Sequence, residues 1–264
     1  MIYGLIGLYL GLCMLLMWFE NTLLYPAPRL ESGEWNKRTA WGAQDAEFSA
    51  ADGTKLHGWY FPNPQAKRMV LLCHGNGENT ALAAREAIWL RDNLDASVLV
   101  WDYRGYGKSE GKPSEQGLYQ DGEAAAQWLA QKSGVQVSEL YLVGRSLGTG
   151  VAVDIGVKHQ CKALILISPY AEIPDAAAAR FWFVPVRLLM RNRYPSVKKI
   201  PQFKGKTFIA HGDKDNVVPH WSGVRLFAAT PETKMFVTVP NAGHNDIDLS
   251  QCENVLKTFL DKVE

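Results

Sequence analysis

The chain has 264 residues, 47% of them hydrophobic, and a net formal charge of +1. That is enough chain for a full core and too apolar a composition for a disordered protein. Basic residues cluster only as doublets such as Lys37-Arg38 and Lys198-Lys199, which argues against a nucleic-acid partner. Cys13, Cys73, Cys161 and Cys252 lack C-x-x-C spacing, so no metal site is expected, and Cys73 and Cys161 read as buried, inert thiols.

Residues 1–19 carry no charged side chain. As a helix they would span about 28 Å at about 1.5 Å per residue, close to the hydrocarbon thickness of a bilayer. Tyr3, Trp18 and Tyr25 sit near the ends, where interfacial aromatics belong. No basic stretch or A-x-A-like site precedes Glu20, so the reading is an uncleaved single-pass transmembrane anchor, a signal-anchor, with a signal peptide or an interfacial helix as alternatives. Arg29, Lys37 and Arg38 lie only on its C-terminal side, which by the positive-inside rule places the catalytic domain on the cytoplasmic face. Residues 20–43 read as a juxtamembrane linker that begins with a stiff Tyr25-Pro26-Ala27-Pro28 exit.

Residues 44–264 read as one domain. Strands are expected at 44–50 and 55–61 around an Ala51-Asp52-Gly53-Thr54 hairpin turn, then at 68–74, 98–101, 139–144, 163–168, 206–211 and 234–240. Helical patterns fall at 79–94, 115–131, 147–159, 219–229 and 246–263. Short apolar strands alternating with helices define an α/β fold with a doubly wound, mostly parallel sheet, and ligands bind such sheets beyond the carboxyl ends of the strands.

Two G-x-S-x-G matches occur. Gly144-Arg145-Ser146-Leu147-Gly148 lies between an apolar β-branched run and a helix-forming run, the context of a nucleophile elbow. Gly107-Lys108-Ser109-Glu110-Gly111 is separated from its preceding strand and followed by Lys112-Pro113, so it reads as a loop. Ser146 is therefore the candidate nucleophile.

A serine nucleophile needs a base, an orienting acid and an oxyanion hole. His244, in the small-residue turn Asn241-Ala242-Gly243-His244-Asn245 after a strand, is the candidate base. The acid is expected earlier in the chain, in His211-Gly212-Asp213-Lys214-Asp215, where local chemistry does not separate Asp213 from Asp215. The oxyanion donors are expected to be the N–H of Leu147 and, from the loop His74-Gly75-Asn76-Gly77, the N–H of Asn76; His74 itself reads as structural.

Taken in order, LLCHGNGEN, VLVWDYRGYGKSEG, LYLVGRSLGTGVA, LISPY, FIAHGDKDNVVP and VPNAGHND resemble the α/β-hydrolase fold. More narrowly they resemble its membrane-anchored abhydrolase domain-containing serine hydrolases, over about residues 48–260. The resemblance implies catalytic Ser146, Asp215 and His244 with oxyanion donors Asn76 and Leu147, and it is the resemblance that selects Asp215 over Asp213. It also implies a lid segment, here residues 170–200. Phe181 to Met190 of that segment are apolar and aromatic, with Arg180, Arg187, Arg191 and Arg193 interleaved or adjacent. Such a segment either packs on the core or lines an acyl pocket with its arginines snorkelling to headgroups. Its shortness predicts an open, shallow site.

The expected activity is hydrolysis of carboxylic esters or thioesters of acyl or lipid-like substrates through an acyl-enzyme, without a cofactor or metal. The alternatives are an acyl-protein thioesterase, a peptidase or amidase, and a non-catalytic membrane scaffold. Substrate identity and oligomeric state stay open.

Overall fold

The computed structural model describes residues 2–28 and 33–262; Met1 of the expected anchor, Arg29 and the end of the closing helix at Val263 lie outside the described residues. Helices α1 (Ile2–Trp18) and α2 (Glu20–Leu24) precede a single sheet of eight strands. These are β1 (Gln44–Ser49), β2 (Lys55–Phe61), β3 (Arg68–Cys73), β4 (Ala96–Trp101), β5 (Tyr141–Arg145), β6 (Ala163–Ile167), β7 (Lys206–Gly212) and β8 (Lys234–Val239). Their order is β1-β2-β4-β3-β5-β6-β7-β8. β2 pairs antiparallel with β1 and β4, and every other pair is parallel.

The β1–β2 turn forms as its sequence demands: Gly53 takes φ +84°, and the Asp52 carboxylate accepts the Thr54 N–H at 3.1 Å. Of the helices between the strands, α3 (Thr80–Asn93) starts where the Asn79 side chain accepts the Leu82 N–H. α4 (Glu115–Ser133) starts where the Ser114 hydroxyl accepts the Gly117 N–H, and it stops at left-handed Gly134. α5 (Leu147–His159) follows β5 directly.

Period-two alternation splits the strand residues between two cores. Leu71, Leu99, Leu142, Leu164 and Leu166 face α4 and α5, packing on Leu118, Leu129, Val151 and Ile155. Val70, Leu72, Val98, Val100, Val143 and Ile165 face the other layer, with Ala84, Ala87 and Leu90 of α3. A parallel sheet buried on both faces explains why its strands read as continuous apolar runs.

Between β6 and β7 run three short helices, α6 (Ile173–Arg180), α7 (Val186–Leu189) and α8 (Ser196–Lys199). Then α9 (His220–Ala229) joins β7 to β8, and α10 (Glu253–Asp261) closes the chain. The closing helix was expected from residue 246. It starts later because Asp246 is used in a turn, accepting the Gly243 N–H at 2.8 Å, and Asp248 caps a 3₁₀ turn at Leu249–Cys252.

Three of the lid arginines are held in ion pairs. Arg187 pairs with buried Asp175 at 2.7 Å, Arg193 with Glu172 at 3.1 Å and Arg191 with Glu20 at 3.3 Å. Each meets a carboxylate of the domain or of α2, and Arg225 also pairs with Glu172 and Asp175, at 3.4 and 3.0 Å.

The expected transmembrane anchor takes a different form. Among the described residues, no helix is long and apolar enough to cross a membrane. α1 ends at Trp18, and the Glu20 carboxylate just beyond it is buried against the domain. Residues 2–10 are exposed, whereas Cys13 is buried against Val184 and Val186 of the lid. Tyr25 is no interfacial aromatic: it is buried, with its hydroxyl 2.8 Å from Tyr194 and 2.9 Å from Asn192 Oδ1.

Candidate active site

Loops beyond the carboxyl ends of β3, β5, β7 and β8 converge on one point. At its centre Ser146 alone makes the turn from β5 into α5, at φ 48° and ψ −116°. A non-glycine residue in such a conformation costs on the order of 1–3 kcal/mol and persists only where its surroundings fix it. Here the Ser146 N–H donates to Ile167 O at 2.9 Å, and the Thr149 hydroxyl donates to Ser146 O at 2.6 Å. The flanking glycines are required by close approach. A Cβ at Gly148 would lie 2.0 Å from Cys73 O, and one at Gly144 would lie 2.7 Å from Thr149 Cα.

His244 Nε2 lies 2.8 Å from Ser146 Oγ, and His244 Nδ1 lies 2.7 Å from Asp215 Oδ2. An ionised carboxylate only accepts, so Nδ1 carries the proton and Nε2 is left to accept the serine hydroxyl. Ser168 Oγ donates to His244 O at 3.2 Å and steadies the loop.

The two candidate acids separate here. The Asp215 side chain is buried; its Oδ1 accepts the N–H groups of Val217 and Val218 at 2.9 and 2.8 Å. Its Oδ2 also receives His211 Nε2–H at 3.2 Å. Burial pushes the Asp215 pKa up, but hydrogen bonds from His211 and His244, the His244 charge and the Val217 N–H more than offset this. They hold the carboxyl well below the usual range. Asp213 is exposed, and its Oδ1 accepts the Asn241 N–H at 2.7 Å, tying the two loops together.

Leu147 is the first residue of α5, so its N–H has no intrahelical acceptor, and the positive end of the helix points at the serine. Asn76 sits on the β3–α3 loop and lines the same cavity as Ser146 and Leu147. Its side chain is clamped at both ends, with Nδ2 donating to Leu24 O and Oδ1 accepting the Tyr106 hydroxyl at 2.7 Å. The five residues singled out by sequence thus meet at one site.

The second G-x-S-x-G does not join them. Ser109 is buried, donating to Asp102 O at 2.7 Å and accepting the His57 N–H at 2.9 Å. His74 is fully buried, its Nδ1 2.8 Å from Gly75 O, and burial lowers its pKa.

Sequence reading missed three contributors. Arg145 makes a two-pronged pair with Glu86 at 2.9 and 3.0 Å and donates to Ile247 O at 3.1 Å, linking the elbow to the loop that carries His244. Tyr170 donates to Leu147 O at 3.0 Å. Glu20 fixes α2 to the lid by accepting the N–H groups of Arg191 and Asn192 at 3.1 and 2.8 Å. A lone charge directly after 19 uncharged residues was the available signal for Glu20.

Above the serine lies an apolar cavity of about 240 Å³. Residues of α1 and α2 line it together with residues of α6 and the rest of the lid segment, and it is half open to the surface. The α1 contributors fall on one helical face, so an apolar run that reads as lipid-facing is here turned partly inward.

A strained serine between strand and helix, backed by histidine and a buried carboxylate above a mostly parallel sheet, defines the hydrolase class of this architecture. The Hydrolase_4 family model, serine aminopeptidase S33, matches residues 64–199. The chain belongs to the α/β-hydrolase family. It is 38% identical over 208 residues to an uncharacterized protein of Mycobacterium tuberculosis, covering 78% of this chain and 74% of that one. It is 33% identical over 199 residues to alpha/beta hydrolase domain-containing protein 17C of Homo sapiens, covering 75% of this chain and 59% of that one. Its fold matches that of a Pyrococcus furiosus esterase at TM-score 0.71 and 19% identity, over 89% of this chain and 96% of that one.

Proposed function

We propose that this hydrolase is an esterase or thioesterase that uses Ser146 as nucleophile, His244 as base and Asp215 as orienting acid on acyl or lipid-like substrates. The observation that carries this reading is the unbroken hydrogen-bond chain from Asp215 through His244 to Ser146 at the base of an apolar cavity. Ser146 Oγ attacks the acyl carbonyl carbon as His244 Nε2 takes its proton. The resulting oxyanion lies toward the N–H groups of Leu147 and Asn76. His244 returns the proton to the leaving alcohol or thiol as the tetrahedral intermediate collapses to an acyl-serine. Water, deprotonated by the same histidine, then releases the acid and restores Ser146.

Aminopeptidase activity, named in the family description, fits the cavity less well. Binding a substrate ammonium would require an available carboxylate. The carboxylate in the cavity lining is Glu20, and both its oxygens are taken by Arg191 and Asn192.

Membrane attachment completes the proposal. The exposed half of α1 includes Ile2, Leu5, Ile6 and Leu8 and meets the lid where the Tyr9 hydroxyl donates to Phe183 O at 3.0 Å; Trp182, Phe183 and Leu188 of the lid are exposed too. About nine residues at 1.5 Å each reach roughly 13 Å, the depth of one leaflet, while the packed half of α1 stays with the domain.

The test is hydrolysis by the purified full chain of acyl esters, acyl thioesters and aminoacyl arylamides, with Ser146→Ala as control. Ser146-dependent turnover of esters or thioesters is expected. Turnover of the arylamides alone would replace this reading by a peptidase.

A further inference from the structure

We propose that the N-terminal helices α1 and α2 form the acyl-chain subsite of this enzyme, and that Cys13 closes its far end and limits the length of chain accepted. The inference rests on the acyl-hydrolase reading above and adds which part of the protein selects the substrate.

Cys13, Leu16, Met17, Glu20, Leu23 and Leu24 all line the cavity that contains Ser146. Their spacing of three and four residues puts them on one face of the helix pair. The intervening Leu12, Met14, Leu15 and Trp18 are exposed. α1 is thus sorted into a cavity-facing stripe and an outward stripe, although both are equally apolar in sequence. The opposing wall has the same construction: Ile173, Ala176 and Ala177 recur along α6 and line the cavity from the lid side.

The two ends of the helix pair are fixed. Leu24 O accepts Asn76 Nδ2, so the C-terminal end of α2 lies beside the oxyanion loop. Eleven residues earlier, Cys13 packs against Val184 and Val186. The Phe19 N–H closes α1 on Leu15 O and the Leu23 N–H opens α2 on Phe19 O, so the pair is broken once, at Phe19, whose ψ of 10° lies outside the helix. At about 1.5 Å per residue the stripe from Leu24 to Cys13 is at most about 16 Å long. That is the dimension of an extended hydrocarbon chain.

The wall is also rigidly placed. The Glu20 carboxylate takes four donors from Arg191 and Asn192. Burial raises its pKa, and the Asn192 and Arg191 donors more than offset this, so the group remains charged and satisfied. The remaining α1 and α2 residues facing the cavity are apolar apart from the Cys13 thiol. Such a slot takes an unbranched alkyl chain and disfavours polar ones, whose hydrogen bonds it would leave unmade.

The test uses the full chain and butyryl, octanoyl, lauroyl and palmitoyl esters. Cys13→Trp and, independently, Leu16→Trp fill the slot from two positions, and Cys13→Ala is the conservative control. Each methylene denied burial is expected to lower kcat/KM about fourfold. Both tryptophan variants should therefore lose more than about tenfold on the longest chain accepted by the wild type relative to butyryl, shifting the chain-length profile toward short esters. Fluorophosphonate labelling of Ser146 and an unchanged Tm report an intact triad and fold in the variants. A chain-length profile unmoved in both variants would overturn the proposal. Binding of a fluorescent long-chain fatty acid to Ser146→Ala, lost in Ser146→Ala/Cys13→Trp, reads the subsite without turnover. If no ester is hydrolysed but this binding and its loss are seen, the activity reading fails and the subsite stands. If esters are hydrolysed but the fatty acid binds equally to both proteins, the subsite fails and the activity stands.

Discussion

His211 Nε2 lies 3.2 Å from the same Asp215 oxygen that faces His244 Nδ1 at 2.7 Å, so one carboxylate oxygen is shared by two histidines. His211 is fully buried at the end of β7 and also bonds Val218 O at 3.1 Å. In the proposed mechanism it is a positioning residue: it touches no reacting atom and holds the carboxylate that faces His244. A hydrogen bond to a charged group contributes about 1.5–3 kcal/mol, equivalent to about tenfold to a hundredfold in rate. His211→Leu is expected to lower kcat by that factor with little change in KM. His211→Gln, whose amide can keep the donor, should recover most of it. Steady-state kinetics of the two variants check this, and equal losses in both would remove the role.

Asp215 links activity to pH stability. Its folded pKa is depressed below the unfolded carboxylate value of about 3.9. A depressed carboxyl contributes stability that is present above the unfolded pKa and is lost as pH falls through the folded one. Asp215→Asn should therefore lower Tm most near neutral pH, and the gap from wild type should narrow only below about pH 4. A gap independent of pH across that window would show that the carboxylate charge is not what stabilises the loop. In the same variant kcat should fall about 10³–10⁴-fold through loss of the correct imidazole tautomer.

Asp213 gives the contrasting case. Its Oδ1 accepts the Asn241 N–H, a task the carbonyl of asparagine can perform. Asp213→Asn is expected to keep kcat/KM within about threefold of wild type, since one neutral hydrogen bond replaces a charge-assisted one at an exposed site. A loss as large as that of Asp215→Asn would reassign the acid.

The strain at Ser146 predicts a stability difference between two inactive variants. Both Ser146→Ala and Ser146→Gly lack the hydroxyl, but only glycine occupies φ 48° without a Cβ penalty. Ser146→Gly should be the more stable by about 1 kcal/mol, after the entropy of the added glycine is subtracted from the strain released. Denaturant midpoints measure it, and an alanine variant equal to or above the glycine variant would show that the turn is not strained.

Much of this site was legible because its parts are local. Ser146, His244 and the Asp213–Asp215 turn each follow an apolar strand, and a parallel sheet brings strand ends together without further information. The choice within the turn was not legible, because two aspartates two residues apart differ only in which side chain folds inward beneath His211. Arg145 and Glu86 lie 59 residues apart, and nothing local to either announces the pair. The placement of α1 was obscured for a different reason: a helix face turned to lipid and one turned to an apolar cavity have the same composition. Glu20 breaks that ambiguity in the structure, since its buried charge is matched by N–H groups of the lid, and such a match cannot be read from one segment alone.

Covalent labelling of the full chain with a fluorophosphonate asks whether Ser146 is the reacting nucleophile. One phosphonyl adduct is expected, mapped by peptide mass to Ser146, absent in Ser146→Ala and retained in Ser109→Ala. No adduct on the wild type, or undiminished labelling of Ser146→Ala, would contradict it.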